Sequence, residues 1–236
     1  MKIAFAIAIL ALAVIVPLAG QGTWIRVAPA PATYAYESAE SGQCSGTYQC
    51  SRTINTTNGD AIVAVCTGTR ASFLTCTVSD TNGEIWTQQS GATTVPNYYS
   101  SASKTYVAFV AHGSTGDVVT VQHTGSAVVY GTLDAYRSST GWSSVDGSSA
   151  MVLASNGGPC SVSFSSASAN AKELIFGNCL ANAGTPTAAS GYTIDQTDSS
   201  TFISGHMAIT TIQTPSFVSD GTLTGPQSLI LGLIPN

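Results

Sequence analysis

The stretch AVVYGTLDAYR, Ala127–Arg137, decides how this chain reads. Its odd positions Val129, Leu133 and Ala135 are apolar. Its even positions Tyr130, Thr132, Asp134 and Tyr136 carry hydroxyl, carboxyl and aromatic groups. A period of two is the mark of a β-strand, because successive side chains point to opposite faces of the pleat. The odd positions suit a core. The even positions predict a separate face of hydroxyls and rings.

Outward from this segment the same grammar repeats. Short apolar runs at Ala61–Gly68, Phe73–Val78, Ile85–Gln89, Thr105–His112 and Asp117–Thr124 precede it. Others at Cys160–Ala167, Glu173–Leu180, Tyr192–Gln196, Phe202–Gln213 and Ser228–Ile234 follow. Gly, Asn, Asp and Ser separate them at intervals of about 8–12 residues, the spacing of a sandwich or barrel. In Thr105–His112, Val107, Phe109 and Ala111 share one side, while Tyr106 and His112 point the other way. In Ser228–Ile234, Leu229, Leu231 and Leu233 align. No helical stripe and no internal repeat interrupts the series. The expected fold is all-β and antiparallel, a sandwich or barrel, in one domain over 41–236.

Composition agrees. Of 236 residues only 8% are charged, against about 25% in an ordinary soluble domain. Hydrophobic residues make up 44%, enough for a sizeable core. Abundant Thr, Ser and Gly disfavour helix and suit strands and turns.

The N-terminus, MKIAFAIAILALAVIVPLAG, has one basic residue, Lys2, then an uncharged apolar run from Ile3 to Val16 broken by Pro17. The run is shorter than the ~20 residues that span a bilayer. It reads as a secretory signal peptide over 1–20, cleaved near Gly20 or Gly22. An uncleaved leader is the one route to a membrane. Residues 21–40, with TWIRVAPAPA at their centre, read as an extended N-terminal segment or linker. Losing Lys2 with the leader leaves six of the seven basic residues against twelve acidic ones. The six are scattered at Arg26, Arg52, Arg70, Lys104, Arg137 and Lys172, which argues against nucleic acid or anionic lipid as partner. The expected localisation is extracellular or cell-surface.

Cys44, Cys50, Cys66, Cys76, Cys160 and Cys179 form an even set in an exported chain, so disulfides are expected. A hairpin turning near Ala169–Asn170 places Cys160 opposite Cys179 and Phe164 opposite Ile175. Cys66 and Cys76 flank Ala71 in the same way, and Cys44–Cys50 closes the loop SGTYQ. The sequence lacks a C-x-x-C pair, which weighs against zinc.

Candidate chemistry is sparse. In SDTNGEIW, Ser79–Trp86, a β-turn with Gly83 at positive φ accounts for Asp80, Asn82 and Gly83. The alternative is a calcium-assisted turn using Asp80, Asn82 and Glu84, although a calcium loop wants a longer acidic series. A hairpin joining Thr105–His112 to Asp117–Thr124 puts His112 beside Asp117 as a rim ion pair and keeps His112 apart from His123. His206 completes the histidines. Serine is abundant without a G-x-S-x-G elbow. The carboxylates stand singly, with Asp195 and Asp198 on opposite faces if extended, so a glycosidase pair is not evident. No cofactor is implied. Asn55-Thr56-Thr57 is a glycosylation sequon.

An ordered set of motifs adds a resemblance. GDAIVAVC (Gly59–Cys66), VSDTNGEIWT (Val78–Thr87), YVAFVA (Tyr106–Ala111), GDVVTVQHTG (Gly116–Gly125), LDAYRSSTGWSSVD (Leu133–Asp146) and AKELIFGNC (Ala171–Cys179) follow one another. From about Thr53 onward this resembles a loosely defined family of secreted bacterial β-sandwich modules. The resemblance implies an antiparallel, jelly-roll-like sandwich and no established activity. Glu84 stands where that family has Asn, and the three cysteine pairs are additional.

Three functions compete at this point. A non-enzymatic binding or adhesive module, possibly for glycans, would use the platform Tyr106, Tyr130, Asp134, Tyr136 and Trp142, with Tyr98 and Tyr99 as further rings. Its partner would be an extracellular polysaccharide or a cell-surface component. A self-assembling subunit of a surface layer or filament would take copies of itself. A polysaccharide-active enzyme would need carboxylates the sequence does not group.

Overall fold

The computed structural model describes residues 33–44, 49–69, 76–94, 101–123, 129–153, 157–181, 183–187, 189–198 and 202–236. The expected signal peptide lies outside these residues, as do Tyr98 and Tyr99. Side chains of 35–44, among them Cys44, and the side chains of His123 and Tyr130 are also outside the described part. All the regular structure among the described residues is β, and Ala32–Asn236 form a single compact unit.

Sixteen strands occur among the described residues: β1 (Tyr34–Cys44), β2 (Gln49–Ile54), β3 (Asp60–Thr69), β4 (Cys76–Asp80), β5 (Trp86–Thr94), β6 (Ser101–Phe109), β7 (Asp117–His123) and β8 (Val129–Ser138), then β9 (Trp142–Val145), β10 (Ala150–Leu153), β11 (Cys160–Ser163), β12 (Leu174–Leu180), β13 (Thr193–Asp198), β14 (Phe202–Ala208), β15 (Ser216–Ser219) and β16 (Gln227–Pro235). They form four antiparallel sheets. Sheet I runs β1-β8-β3-β6-β5. Sheet II runs β10-β16-β12-β14-β13, with β9 also on β16. Sheet III is β2-β7-β4, and sheet IV is β11-β15.

Alternation explains how these sheets share cores. In β3 the even residues Ile62, Ala64 and Cys66 join a cluster with Cys50, Cys76, Val119 and Val121 of sheet III. The odd residues Ala61, Val63 and Val65 join Leu174, Phe176, Leu229, Leu231 and Leu233 of sheet II. On β12 and β16 the other face, Ile175, Cys179 and Ile230, packs with Cys160, Val162 and Phe217 of sheet IV. The inner strands of sheets I and II are therefore buried on both faces, which is why β3, β12 and β16 read as nearly unbroken apolar runs.

Two expected disulfides are present, Cys66–Cys76 with Cα atoms 6.5 Å apart and Cys160–Cys179 at 5.8 Å. The hairpins inferred around them are not. Cys160 pairs in register with Ser219 of β15, and Cys179 lies between Ile203 of β14 and Ser228 of β16. Cys66 belongs to sheet I and Cys76 to sheet III. Both bridges tie one sheet to another rather than neighbouring strands, because facing sheet surfaces satisfy disulfide spacing as well as a ladder does. Cys50 is disulfide-bonded; its expected partner side chain, Cys44, is outside the described residues.

The β6–β7 hairpin also does not form: β6 lies in sheet I and β7 in sheet III. His112 sits by Glu84, with Nδ1 3.7 Å from Oε1, and not by Asp117. Asp117 instead accepts the Thr81 hydroxyl at 2.8 Å. The segment read as linker to residue 40 is strand from Tyr34 on, pairing with β8 from Tyr34↔Ser138.

Candidate functional site

The described side chains on the even face of β8 do not meet water. Thr132, Asp134 and Tyr136 are buried, and the last two face sheet II. The reason lies in β13. Its register with β14 shifts between Ile194 and Gln196, a bulge at Asp195. A bulge inserts one residue, so side chains that would alternate can be turned to the same side. Asp195 and Gln196, adjacent in sequence, both reach β8.

Gln196 Nε2 donates to the Leu133 carbonyl at 2.9 Å and to Asp134 Oδ1 at 2.8 Å. Ser204 Oγ donates to the same Oδ1 at 3.1 Å. Tyr136 donates its hydroxyl to Asp195 Oδ2 at 2.7 Å, and His206 Nδ1 lies 2.7 Å from Asp195 Oδ1 and 2.9 Å from Oδ2. The Tyr136 ring meets the His206 ring edge-on at 5.5 Å and Phe176 at 6.0 Å. Ser204 and His206, two apart on β14, share the face that β13 and β8 close.

Asp134 is fully buried, and its Oδ2 meets no donor. Burial raises its carboxyl from 3.8 to about 7; Asp195 pushes in the same direction, while Gln196, Ser204 and His206 pull against it. A protonated Asp134 is the form this site favours. Because the folded value lies above the unfolded one, the stabilisation is complete below about 3.8 and is lost as pH rises through about 7. Asp134→Asn keeps an acceptor for Gln196 and Ser204 and removes the titration. Its melting temperature is expected to vary less between pH 5 and 8 than that of the parent, as followed by circular dichroism.

The platform proposed from sequence is dispersed inside the fold. Tyr106 lies on the opposite face of sheet I from Tyr136, among the sheet III residues, and hydrogen-bonds the Cys76 carbonyl. Trp142 is buried, donates Nε1 to the Tyr136 carbonyl at 2.9 Å and stacks on Tyr34 at 5.5 Å. Asp134 and Tyr136 are brought together, and Tyr130 is outside the described side chains. These rings are core, placed there because sheet II covers the face that alternation alone suggested was open. Asp195, Gln196, Ser204 and His206 complete the site and carried no sequence signal beyond the isolated mention of Asp195 and His206.

The turn at SDTNGEIW forms with Gly83 at φ 77°. Asp80 Oδ1 accepts the Asn82 and Glu84 amides at 2.8 and 3.1 Å, and Oδ2 accepts Trp86 Nε1 at 2.5 Å. Glu84 accepts the amides of Ala111 at 2.9 Å and His112 at 2.6 Å. These carboxylates are occupied by the chain's own N–H groups, so the turn latches sheet III to the end of sheet I. Asn55 is exposed and accepts the Gly116 amide at 3.0 Å through Oδ1. Among the described residues, no three His, Cys, Asp or Glu stand together as a metal set.

Comparisons with protein families, curated proteins and solved structures find no match to this chain. The resemblance seen in the ordered motifs therefore gains no family assignment, and the reading of function rests on the fold and on the network itself.

Proposed function

We propose that this chain is a secreted, non-enzymatic extracellular module, a stack of sandwich type whose rigid body serves binding or adhesion. The observation that carries the reading is the course of the two disulfides, each of which joins different sheets. Such bridges restrict separation of layers, the opening that exposes a β-protein to proteases outside the cell. Disulfides are also compatible with an oxidising, extracellular location. In this reading residues 1–20 are the leader, and any jelly-roll character is a matter of how the strands connect. The inward turn of Tyr106, Tyr136 and Trp142 moves binding away from the sheet faces, toward the loops between strands, with a polysaccharide or cell-surface component as partner. Binding of the purified protein to a panel of polysaccharides and whole cells tests it. Retention without release of reducing sugar is expected. Sugar release would replace the reading with an enzyme, and no retention on any surface would overturn it.

A second reading, a self-assembling subunit, is favoured by Val152, 41% exposed on the outer strand β10 of sheet II. Electron microscopy of concentrated protein separates the two: ordered filaments or sheets support assembly, and monomers alone remove it.

A further inference from the structure

Away from the β8–β13 network, two other acids converge inside the fold. Asp146 follows β9 and Glu173 precedes β12, and both are buried. Asp146 holds three parts of the chain. Its Oδ1 accepts the Ser148 amide at 2.6 Å and its Oδ2 the Ala169 amide at 2.7 Å, while its own amide donates to Gly232 of β16 at 2.9 Å. Glu173 Oε1 accepts the Asn170 amide at 2.6 Å. Three carboxyl oxygens thus have donors from the chain. The fourth, Glu173 Oε2, has none. The charged group that acts on Glu173 is the Asp146 carboxyl, an acceptor, and both acids border Gly232.

Two acceptors make a hydrogen bond only when a proton lies between them. A cation is the other filling, and the space argues against it. A Cβ on Gly232 would fall 2.6 Å from Glu173 Oε2, 2.9 Å from Phe164 Cζ and 3.0 Å from Asp146 Cβ. A calcium ion requires six to eight oxygens at about 2.3–2.6 Å, and three of the four available oxygens already accept amides. A proton needs no such shell.

We propose that Asp146 and Glu173 share one proton, which latches the 165–170 segment and the 146–149 turn onto sheet II and releases them in alkaline medium. The two pieces are tied to each other by the Ser165 amide to the Ser148 carbonyl at 2.9 Å and Ser148 Oγ to Ser166 Oγ at 2.6 Å, and to the rest of the chain by the Ser168 amide to the Gln213 carbonyl at 2.8 Å and the Gly232 amide to Ser149 Oγ at 3.2 Å. Loss of the proton leaves two buried negative charges side by side, and neither can stay without a partner. Among the described residues, no cationic side chain is seen to offset them. The other charged influence on Glu173 is Asp146 itself. Tyr34 of β1 faces the pair and feels Glu173 in turn. Strands β9, β10 and β16 carry no titratable side chain, Lys172 is exposed, and His206 of β14 is bonded to Asp195. Burial, reinforced by Asp146, raises the Glu173 carboxyl from 4.5 to about 7, against the pull of the Asn170 amide. The latch is complete below about 4.5 and is lost as pH climbs through about 7.

Lys172 makes release readable, since it places a tryptic site beside the latch. Glu173→Gln supplies an amide donor to Asp146 at every pH and so removes the switch while keeping the contact. Native-state trypsin cleavage after Lys172 is expected to be similar in the two proteins at pH 6. By pH 8 the parent is expected to be cut up to about tenfold faster than Glu173→Gln, since one linked proton weakens the latch by about a factor of ten per pH unit up to about 7 and no further above it. A parent-to-variant ratio that does not change with pH overturns the latch. Should Glu173→Gln fail to fold, the infrared carbonyl band of Asp134→Asn decides. A protonated-carboxyl band present at pH 6 and lost by pH 8 supports the shared proton, and its absence at pH 6 overturns it.

Discussion

Replacing Phe176 with alanine is expected to lower the free energy of unfolding by about 3–5 kcal/mol, the cost of emptying a fully buried aromatic site. Phe176 is fully buried at the middle of sheet II, in register with His206 on one side and Leu231 on the other. Its ring packs edge-on against Tyr136 of sheet I, in the cluster that also holds Val63, Leu229 and Leu231. Removal therefore costs transfer energy, leaves a cavity between two sheets pinned by strands on both sides, and unseats the ring whose hydroxyl donates to Asp195. Phe176→Leu fills most of that volume and is expected to lose much less. Urea unfolding of the three proteins measures the difference. A loss below about 1 kcal/mol for the alanine variant would mean that the two sheets do not share this core.

Removing the Cys160–Cys179 bridge, as the double alanine variant, is expected to cost about 3 kcal/mol. The two cysteines are 19 residues apart in sequence, and a cross-link over a loop of that length restricts the unfolded chain by roughly this amount. Both sulfurs are buried in the core of sheets II and IV, so a small packing loss adds to it. The Cys66–Cys76 bridge, with a separation of 10 residues, closes a shorter loop, and opening it is expected to cost somewhat less. Urea unfolding with a matched parent compares the three. An equal or smaller loss for the Cys160–Cys179 variant would mean that strain or unfolded-state structure outweighs loop closure.

Much of the strand content was legible in the sequence. The runs at β3, β7, β8, β12, β14 and β16 contain their strands to within a few residues, because a long strand shows either period two, as in β8, or an unbroken apolar run, as in β3, β12 and β16. Four residues or so are too few to show a period, which hid β9, β10 and β15. β1 was hidden differently: its sequence YAYESAESGQC is polar enough to read as linker, and it sits at the edge of sheet I, where half its ladder is unpaired. The pairs Cys66–Cys76 and Cys160–Cys179 follow from a register that does not exist, since proximity in sequence favours both a hairpin and a cross-sheet bridge. For the site, Asp134 and Tyr136 stood out by alternation. Their partners did not, because Gln196 and Ser204 come from 62 and 70 residues away and a bulge re-aims Asp195 against the alternation that would otherwise predict its side.

The order in which the sheets are threaded has a consequence for how the chain reaches this state. β1 pairs with β8, so Tyr34 waits for Ser138 before sheet I has its edge. β16 lies inside sheet II, bonded to β12 on one side and to β9 and β10 on the other. Until Gln227–Pro235 has emerged, β12 lacks one neighbour and β9 and β10 have nothing to pair with. Closing such long loops precedes the contacts that reward it, which slows folding. The nascent chain is thus kept from locking prematurely, and β16 completes sheet II only after the strands it joins are available.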